Sequence, residues 1–326
     1  LVLMFLVFSC GPKQTGEAIP NHPAFKDPAV LEISEKLQDK PDARLYYQRG
    51  LLLHRMGEDT LALNDFKKAA KMDSTRGEYF SAVGDLMFEH KDINGSLPYL
   101  QRAVTLNPTD PTAHLKIAKL FIYLKDYTKA FAEINTVLRQ NTMTPEGYFL
   151  KGLIYKDLKD TARAISSFQT AQQVDPEYKD PIIQLGLLYS ARKDPQALKY
   201  FDNAFRIDSS DVFPLYARGM FYQEQENYEQ AKAEFTRCIM HDANYADAFF
   251  GIGWVLLQQD SLEKARKHFD IVTRLEPTSA TAYYNRGLCN ELMGNRAEAV
   301  SDYRQALTFN EEYDAARQAI ARLGSK

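Results

Sequence analysis

The sequence predicts an all-α protein, a linear array of stacked helix pairs, and three observations carry that reading. Small residues fall at Gly50, Gly84, Ala118, Gly152, Gly186, Gly219, Gly253 and Gly287, at a step of 34 residues broken once by a step of 33. A second series, Ala62, Ser96, Ala130, Ala164, Ala197, Ala231, Ala265 and Ala299, follows twelve residues behind the first in every repeat but the fifth. Apolar residues at helical spacing surround both series, and self-similarity at a fixed period of this length marks units that bury their apolar faces only by stacking.

The stretch from Gly152 to Pro176 shows how one repeat is written. Tyr148, Ile154 and Tyr155 share a face of its first helix, while Ala164, Phe168 and Ala171 recur at i, i+4, i+7 on its second. Lys159 and Asp160 form the turn between them. Asp175-Pro176 stops the second helix, as Asn107-Pro108 and Glu276-Pro277 do in other repeats. A glycine inside a helix costs about 1 kcal/mol relative to alanine, so a row of them needs a steric cause. Close approach supplies it: Gly152 is expected to face Ala164, with Phe168 filling the space beside them.

This pattern resembles the tetratricopeptide repeat (TPR) family, whose unit is a helix pair with the same order of small, aromatic and small residues and a closing proline. The resemblance covers residues 43–312, eight repeats, and implies a right-handed superhelix, an α-α solenoid. It departs from the family at two places. Asn141 to Thr144 stands where Asp-Pro is usual, and the fifth repeat lacks one residue near Arg192 to Pro195. Both are expected to alter the superhelix locally.

Taken in order, the chain opens on Leu1 to Phe8, LVLMFLVF, which is wholly apolar yet shorter than the roughly 20 residues a spanning helix needs. Residues 1–10 read as a signal peptide closing on Val-Phe-Ser-Cys, which looks like a bacterial lipobox with Cys10 as the acylated residue. A buried apolar strand or an ordinary secretory peptide is the alternative. Residues 11–27 carry Pro12, Gly16, Pro20 and Pro23 and read as a tether. Residues 28–42 form a capping helix that starts at Asp27-Pro28, bears Leu31, Ile33 and Leu37, and ends before Pro41. Residues 313–326 form a second cap, with Ala316, Ile320 and Leu323 on its apolar side.

Composition restricts the functional classes. With 45% hydrophobic and 25% charged residues the chain can bury a continuous core, and a net charge of -3 gives no basic stripe for phosphates. Lys67, Lys68 and Lys71 read as a solvated face, and no nucleic-acid partner is expected. Cys238 and Cys289 occupy core positions in the sixth and eighth repeats, which are not neighbours, so they read as buried hydrophobes rather than a disulfide. The six histidines are scattered without a metal-ligand motif, and no phosphate loop or cofactor motif is present. His114 stands where other repeats place Tyr46, Phe80, Tyr148 and Phe249, and reads as a packed side chain. No enzyme and no cofactor are expected.

The first helix of each repeat carries a second apolar face, through the residues three before and one after the small site. The first row runs Tyr47, Ser81, Leu115, Phe149, Ile183, Tyr216, Phe250 and Tyr284; the second runs Leu51, Asp85, Lys119, Leu153, Leu187, Met220, Trp254 and Leu288. The TPR resemblance implies that this face lines a concave groove, so Tyr47, Phe149, Tyr216, Met220, Phe250, Trp254 and Tyr284 are the candidate partner-binding residues. Covering by neighbouring helices is the alternative for these aromatics. The Lys and Asn of a peptide-carboxylate clamp are absent, which favours an apolar segment or amphipathic helix as ligand.

The sequence therefore predicts a non-catalytic adaptor binding a protein or peptide partner, lipid-anchored in the bacterial cell envelope. It is similar to the outer-membrane TPR lipoproteins that act as pilotins, barrel-assembly factors or hydrolase adaptors. Gly11 after Cys10 favours the outer membrane. The alternative is a lipid-anchored receptor that captures a peptide or glycan.

Overall fold

The computed structural model describes residues 18–324, and every regular element among them is helical. A 3-10 turn, Pro23–Lys26, precedes eighteen α-helices, of which α1 is Pro28–Asp39. The repeats follow as α2 (Ala43–Arg55) with α3 (Asp59–Met72), α4 (Gly77–Glu89) with α5 (Ile93–Leu106), α6 (Pro111–Tyr123) with α7 (Tyr127–Gln140), and α8 (Pro145–Asp157) with α9 (Thr161–Val174). They continue as α10 (Lys179–Ser190) with α11 (Gln196–Ile207), α12 (Phe213–Glu224) with α13 (Tyr228–His241), α14 (Ala246–Gln258) with α15 (Leu262–Leu275), and α16 (Ala280–Leu292) with α17 (Arg296–Phe309). Helix α18 is Asp314–Gly324.

The chain forms two compact bodies, an N-terminal one ending at Ile154 and a C-terminal one beginning at Tyr155. Within each, the two helices of a repeat pack together and the second helix also touches the first helix of the next repeat. First helices of successive repeats adjoin as well, α4 with α6 and α12 with α14.

The turn inside each repeat follows one rule. Gly57, Lys91, Lys125, Lys159, Lys193, Glu226, Asp260 and Gly294, each seven residues after its small site, adopt positive φ between 55° and 83°. A left-handed residue costs a non-glycine about 1–2 kcal/mol. Six of the eight turns accept that cost. In three repeats the residue that follows is an aspartate that caps the second helix: Asp92, Asp126 and Asp160 accept from the backbone N–H of Gly95, Lys129 and Arg163.

Both departures from the family pattern keep their local geometry. Asn141 accepts from the Met143 N–H at 2.9 Å, as Asp175 does from Glu177 and Asp242 from Asn244. In the fifth repeat Lys193 retains its positive φ of 56°, and the missing residue shortens the second helix, α11, to 12 residues against 14 in α13.

The glycine row does mark close approach, both to the second small residue, since Ser96 Oγ donates to the Gly84 carbonyl at 2.6 Å, and more tightly to the large side chain beside it. A Cβ on Gly50 would lie 2.6 Å from the Phe66 ring, and one on Gly219 would lie 2.4 Å from the Phe235 ring. These rings come sixteen residues after the small site and lie over it. The Ala62 carbonyl stands farther from the Gly50 position, at 3.3 Å.

At the N-terminal end Asp27 caps α1 by accepting from the Ala29 and Val30 N–H groups, and the helix buries Val30, Ser34 and Leu37. Leu31 and Ile33 are only half-buried. The stretch expected to be a tether is not free along its whole length. Ala24 and Phe25 are buried, and the Phe25 ring sits 5.2 Å from the Arg49 guanidinium, so the end of this stretch is part of the first repeat's packing. At the other end α18 buries Ala316 and Ala319. The apolar leader and Cys10 lie outside the described residues. Among the described residues no helix is long and apolar enough to cross a membrane.

Candidate partner-binding face

All seven aromatic or apolar candidates are half-buried: Tyr47, Phe149, Tyr216, Met220, Phe250, Trp254 and Tyr284. Four of the rings at this position lean on the large ring of their own second helix. Tyr47 lies 5.7 Å from Phe66, Tyr216 lies 5.8 Å from Phe235, Phe250 lies 5.3 Å from Phe269, and Tyr284 lies 5.5 Å from Tyr303. A tyrosine from the following repeat or cap adds a second contact: Tyr79 on Tyr47, Tyr245 on Tyr216 and Tyr313 on Tyr284. The rings are thus held in place, with part of each left open to solvent. Burial pushes the Tyr216 and Tyr284-facing Tyr303 phenols up, so both are neutral at physiological pH.

Within each body the candidates border different clusters. Tyr216, Met220, Phe250 and Trp254 border a single core cluster in the C-terminal body, with Trp254 edge-on to Tyr228 at 6.2 Å. Tyr284 belongs to the cluster under α18. In the N-terminal body Phe149 packs at the α8 end of the core, while Tyr47 lies on a groove against α4.

That groove has an apolar floor, Tyr47, Leu51, Phe66 and Leu86, and an acidic rim, Glu78, Asp85, Glu89 and Asp110. Lys116 is the one lysine lining it and is tied to Asp85 at 2.8 Å. Burial, with the Glu78 carboxylate as second cause, pushes the Tyr47 phenol up. The rows read from sequence show Ser81 and Asp85 as gaps in an apolar face; the neighbouring acids arrive from the next turns of α4.

A second set of residues escaped the sequence reading. Arg49 donates from Nε and Nη2 to Asp65 at 2.7 and 2.8 Å and from Nη1 to Ser34 of α1 at 3.0 Å, and all three side chains are buried. Arg218 pairs with Glu234 of its own repeat at 2.8 Å and with Asp202 of α11. Arg286 pairs with Asp302 at 2.6 Å and reaches Asp270 of α15 at 2.7 Å. In each case the arginine precedes the small site by one and the acid follows it by fifteen. The signal was present, since arginine and acid occur together in the first, sixth and eighth repeats.

His114 and the two described cysteines sit as packed groups, whereas His90 and His241 are exposed. His114 is buried between Glu133, 2.6 Å from Nδ1, and the Pro108 carbonyl, 2.9 Å from Nε2. Cys238 and Cys289 are buried free thiols, and burial pushes both up to about 12, which leaves them unreactive at neutral pH.

Comparison with known proteins agrees with this architecture. Tetratricopeptide-repeat family models match residues 43–76, 145–178, 216–274 and 280–313. A TPR repeat-containing protein of Methanocaldococcus jannaschii is 25% identical over 284 residues, 78% of this chain and 48% of that protein. Superkiller complex protein 3 of Homo sapiens is 26% identical over 228 residues, 66% of this chain and 14% of the relative. The chain thus spans about half or less of the length of these relatives. Among solved structures, the C-terminal part of a TPR repeat-containing protein from Cytophaga hutchinsonii superposes with a TM-score of 0.57 at 17% identity, covering 73% of this chain and 98% of that one. PilW, a type IV pilus biogenesis factor, superposes with a TM-score of 0.54 at 20% identity, covering 65% and 98%. With its period, its helix pairs and these four matched stretches, the chain is a tetratricopeptide repeat protein.

Proposed function

We propose that the protein is a non-catalytic interaction scaffold of the bacterial cell envelope, anchored in the outer membrane through an acylated Cys10, that docks a protein or peptide segment on the face of its first helices. The observation that carries the docking reading is the set of half-buried Tyr216, Met220, Phe250 and Trp254 around one core cluster. Aromatics held by rings on their inner side contribute contact area with little entropy left to lose, which is the character of binding hot spots. Membership of a repeat family of scaffolds supports the absence of catalysis.

Trp254 is the chain's single tryptophan, so its fluorescence reports on this face directly. A membrane-extract pull-down that recovers one protein species with the wild type and loses it with Tyr216→Ala/Trp254→Ala supports docking; equal recovery with the variant removes it. Fractionation of a Cys10→Ala variant tests the anchor separately, since the protein should leave the membrane fraction. The partly open rings of Tyr216 and Trp254 also suit sugars, which favours as second reading a receptor for a peptide or glycan. A rise in melting temperature with an oligosaccharide, and no protein partner, would select that reading.

A further inference from the structure

The groove of the N-terminal body carries a charge signature that the aromatic row lacks. Its floor is apolar, with Tyr47 and Leu51 from α2 and Leu86 from α4, and its rim holds four carboxylates, Glu78, Asp85, Glu89 and Asp110. The lining supplies little to neutralise them. Lys116 is committed to Asp85, and Arg76 approaches Glu78 from outside the lining at 3.5 Å. His54 gives Nδ1 to Asp59 at 2.8 Å and stands 3.8 Å from Glu89. Glu78 and Glu89 each keep 51% of their side-chain surface in water.

We infer that this groove takes a cationic amphipathic segment of a partner polypeptide, its apolar side chains on Tyr47 and Leu51 and its lysines or arginines against Glu78 and Glu89. The inference rests on the docking reading above and gives that partner a chemistry. Two features select the occupant. An apolar floor with a single-sign rim matches an amphipathic segment of the opposite sign and repels an acidic one. The two rim glutamates rise from α4 eleven residues apart, about 16 Å along the helix, which spans roughly three turns of a bound helix.

The test uses the full chain and two fluorescein-labelled synthetic helices of identical leucine pattern, one with lysine at its polar positions and one with glutamate. Fluorescence anisotropy should show the lysine peptide binding, with affinity falling as salt rises, and the glutamate peptide failing to bind. Glu78→Gln/Glu89→Gln should weaken the lysine peptide about tenfold. Both residues are exposed, so an unchanged melting curve separates lost binding from lost fold. Glu311→Gln/Glu312→Gln, exposed and outside the groove, should leave the affinity unchanged.

Equal binding of the two peptides, wild-type affinity in the groove variant, or an equal loss in the Glu311/Glu312 variant would each overturn the inference. Failure of the docking reading looks different. If the glutamate peptide binds and Tyr216→Ala/Trp254→Ala abolishes its binding, the docking face stands and the charge inference falls. If neither peptide binds, both fall.

Discussion

The two bodies present one backbone plan with different surfaces. In the N-terminal body the face of the first helices is interrupted by Ser81, Asp85 and Lys119, and the open groove beside Tyr47 is rimmed by carboxylates. In the C-terminal body the same positions read Tyr216, Met220, Phe250, Trp254, Tyr284 and Leu288 without a charged residue. The inner contacts do not differ in kind: Tyr47 leans on Phe66 as Tyr216 leans on Phe235. The repeat therefore fixes where a side chain stands, and the residue chosen there fixes what it recognises.

If the bodies share a scaffold, substitutions in the scaffold should act alike in both. The largest effect is expected for the buried ion pairs. Arg49→Ala leaves Asp65 charged, buried and unpaired, and should cost about 3–5 kcal/mol by urea titration; Arg286→Ala, whose side chain is 21% exposed, should cost less. Replacing both partners, Arg49→Met with Asp65→Leu, should recover most of the loss. A small effect of Arg49→Ala alone would show that the pair contributes little.

Next come the packed glycines. Gly50→Leu and Gly219→Leu drive a side chain into Phe66 and Phe235 and should each lower stability by about 1–3 kcal/mol. An unchanged melt for one of them would show that the bodies pack by different rules. A smaller gain is expected at the left-handed turns, where Lys91→Gly and Glu226→Gly should each stabilise by up to about 1 kcal/mol. Loss of stability at either would show that its side chain supplies something besides the turn.

The smallest effect concerns His268 in α15, whose ring lies 6.1 Å from Phe249 and whose Nδ1 is buried without a partner. Burial holds its pKa below the ordinary 6.5, so the unfolded chain takes up the proton first. Stability from this group is complete above 6.5 and declines as pH falls below it. His268→Phe should flatten that part of the stability profile. A profile with the same slope in the variant would assign it elsewhere.

The repeat boundaries were legible because a 34-residue period is sampled eight times, so single exceptions such as Asn141 or the shortened fifth repeat do not hide it. Both exceptions keep the backbone because Asn141 offers the same acceptor as aspartate and the deletion falls at a helix start. Phe25 was harder to read, since a lone aromatic in a proline-rich stretch has no periodicity to report its burial. Its partner Arg49 was missed for a related reason. Polar residues at core positions contradict an apolar pattern singly, and make sense only as a pair across two antiparallel helices. Of the groove's acids Asp85 was legible in the second row, whereas Glu78 and Glu89 stand on α4 outside the two rows counted and Asp110 belongs to the cap of the next first helix.

The arginines do more than neutralise an acid within their own repeat. Arg49, Arg218 and Arg286 each also grip the helix before them, through Ser34, Asp202 and Asp270. Greasy interfaces between modules tolerate exchange, because one leucine replaces another. A guanidinium that needs a particular oxygen upstream does not, and so the succession of modules is written into the chain: transplanting or duplicating one of these three would keep its internal acid but leave the upstream arm of the guanidinium without its acceptor at the seam.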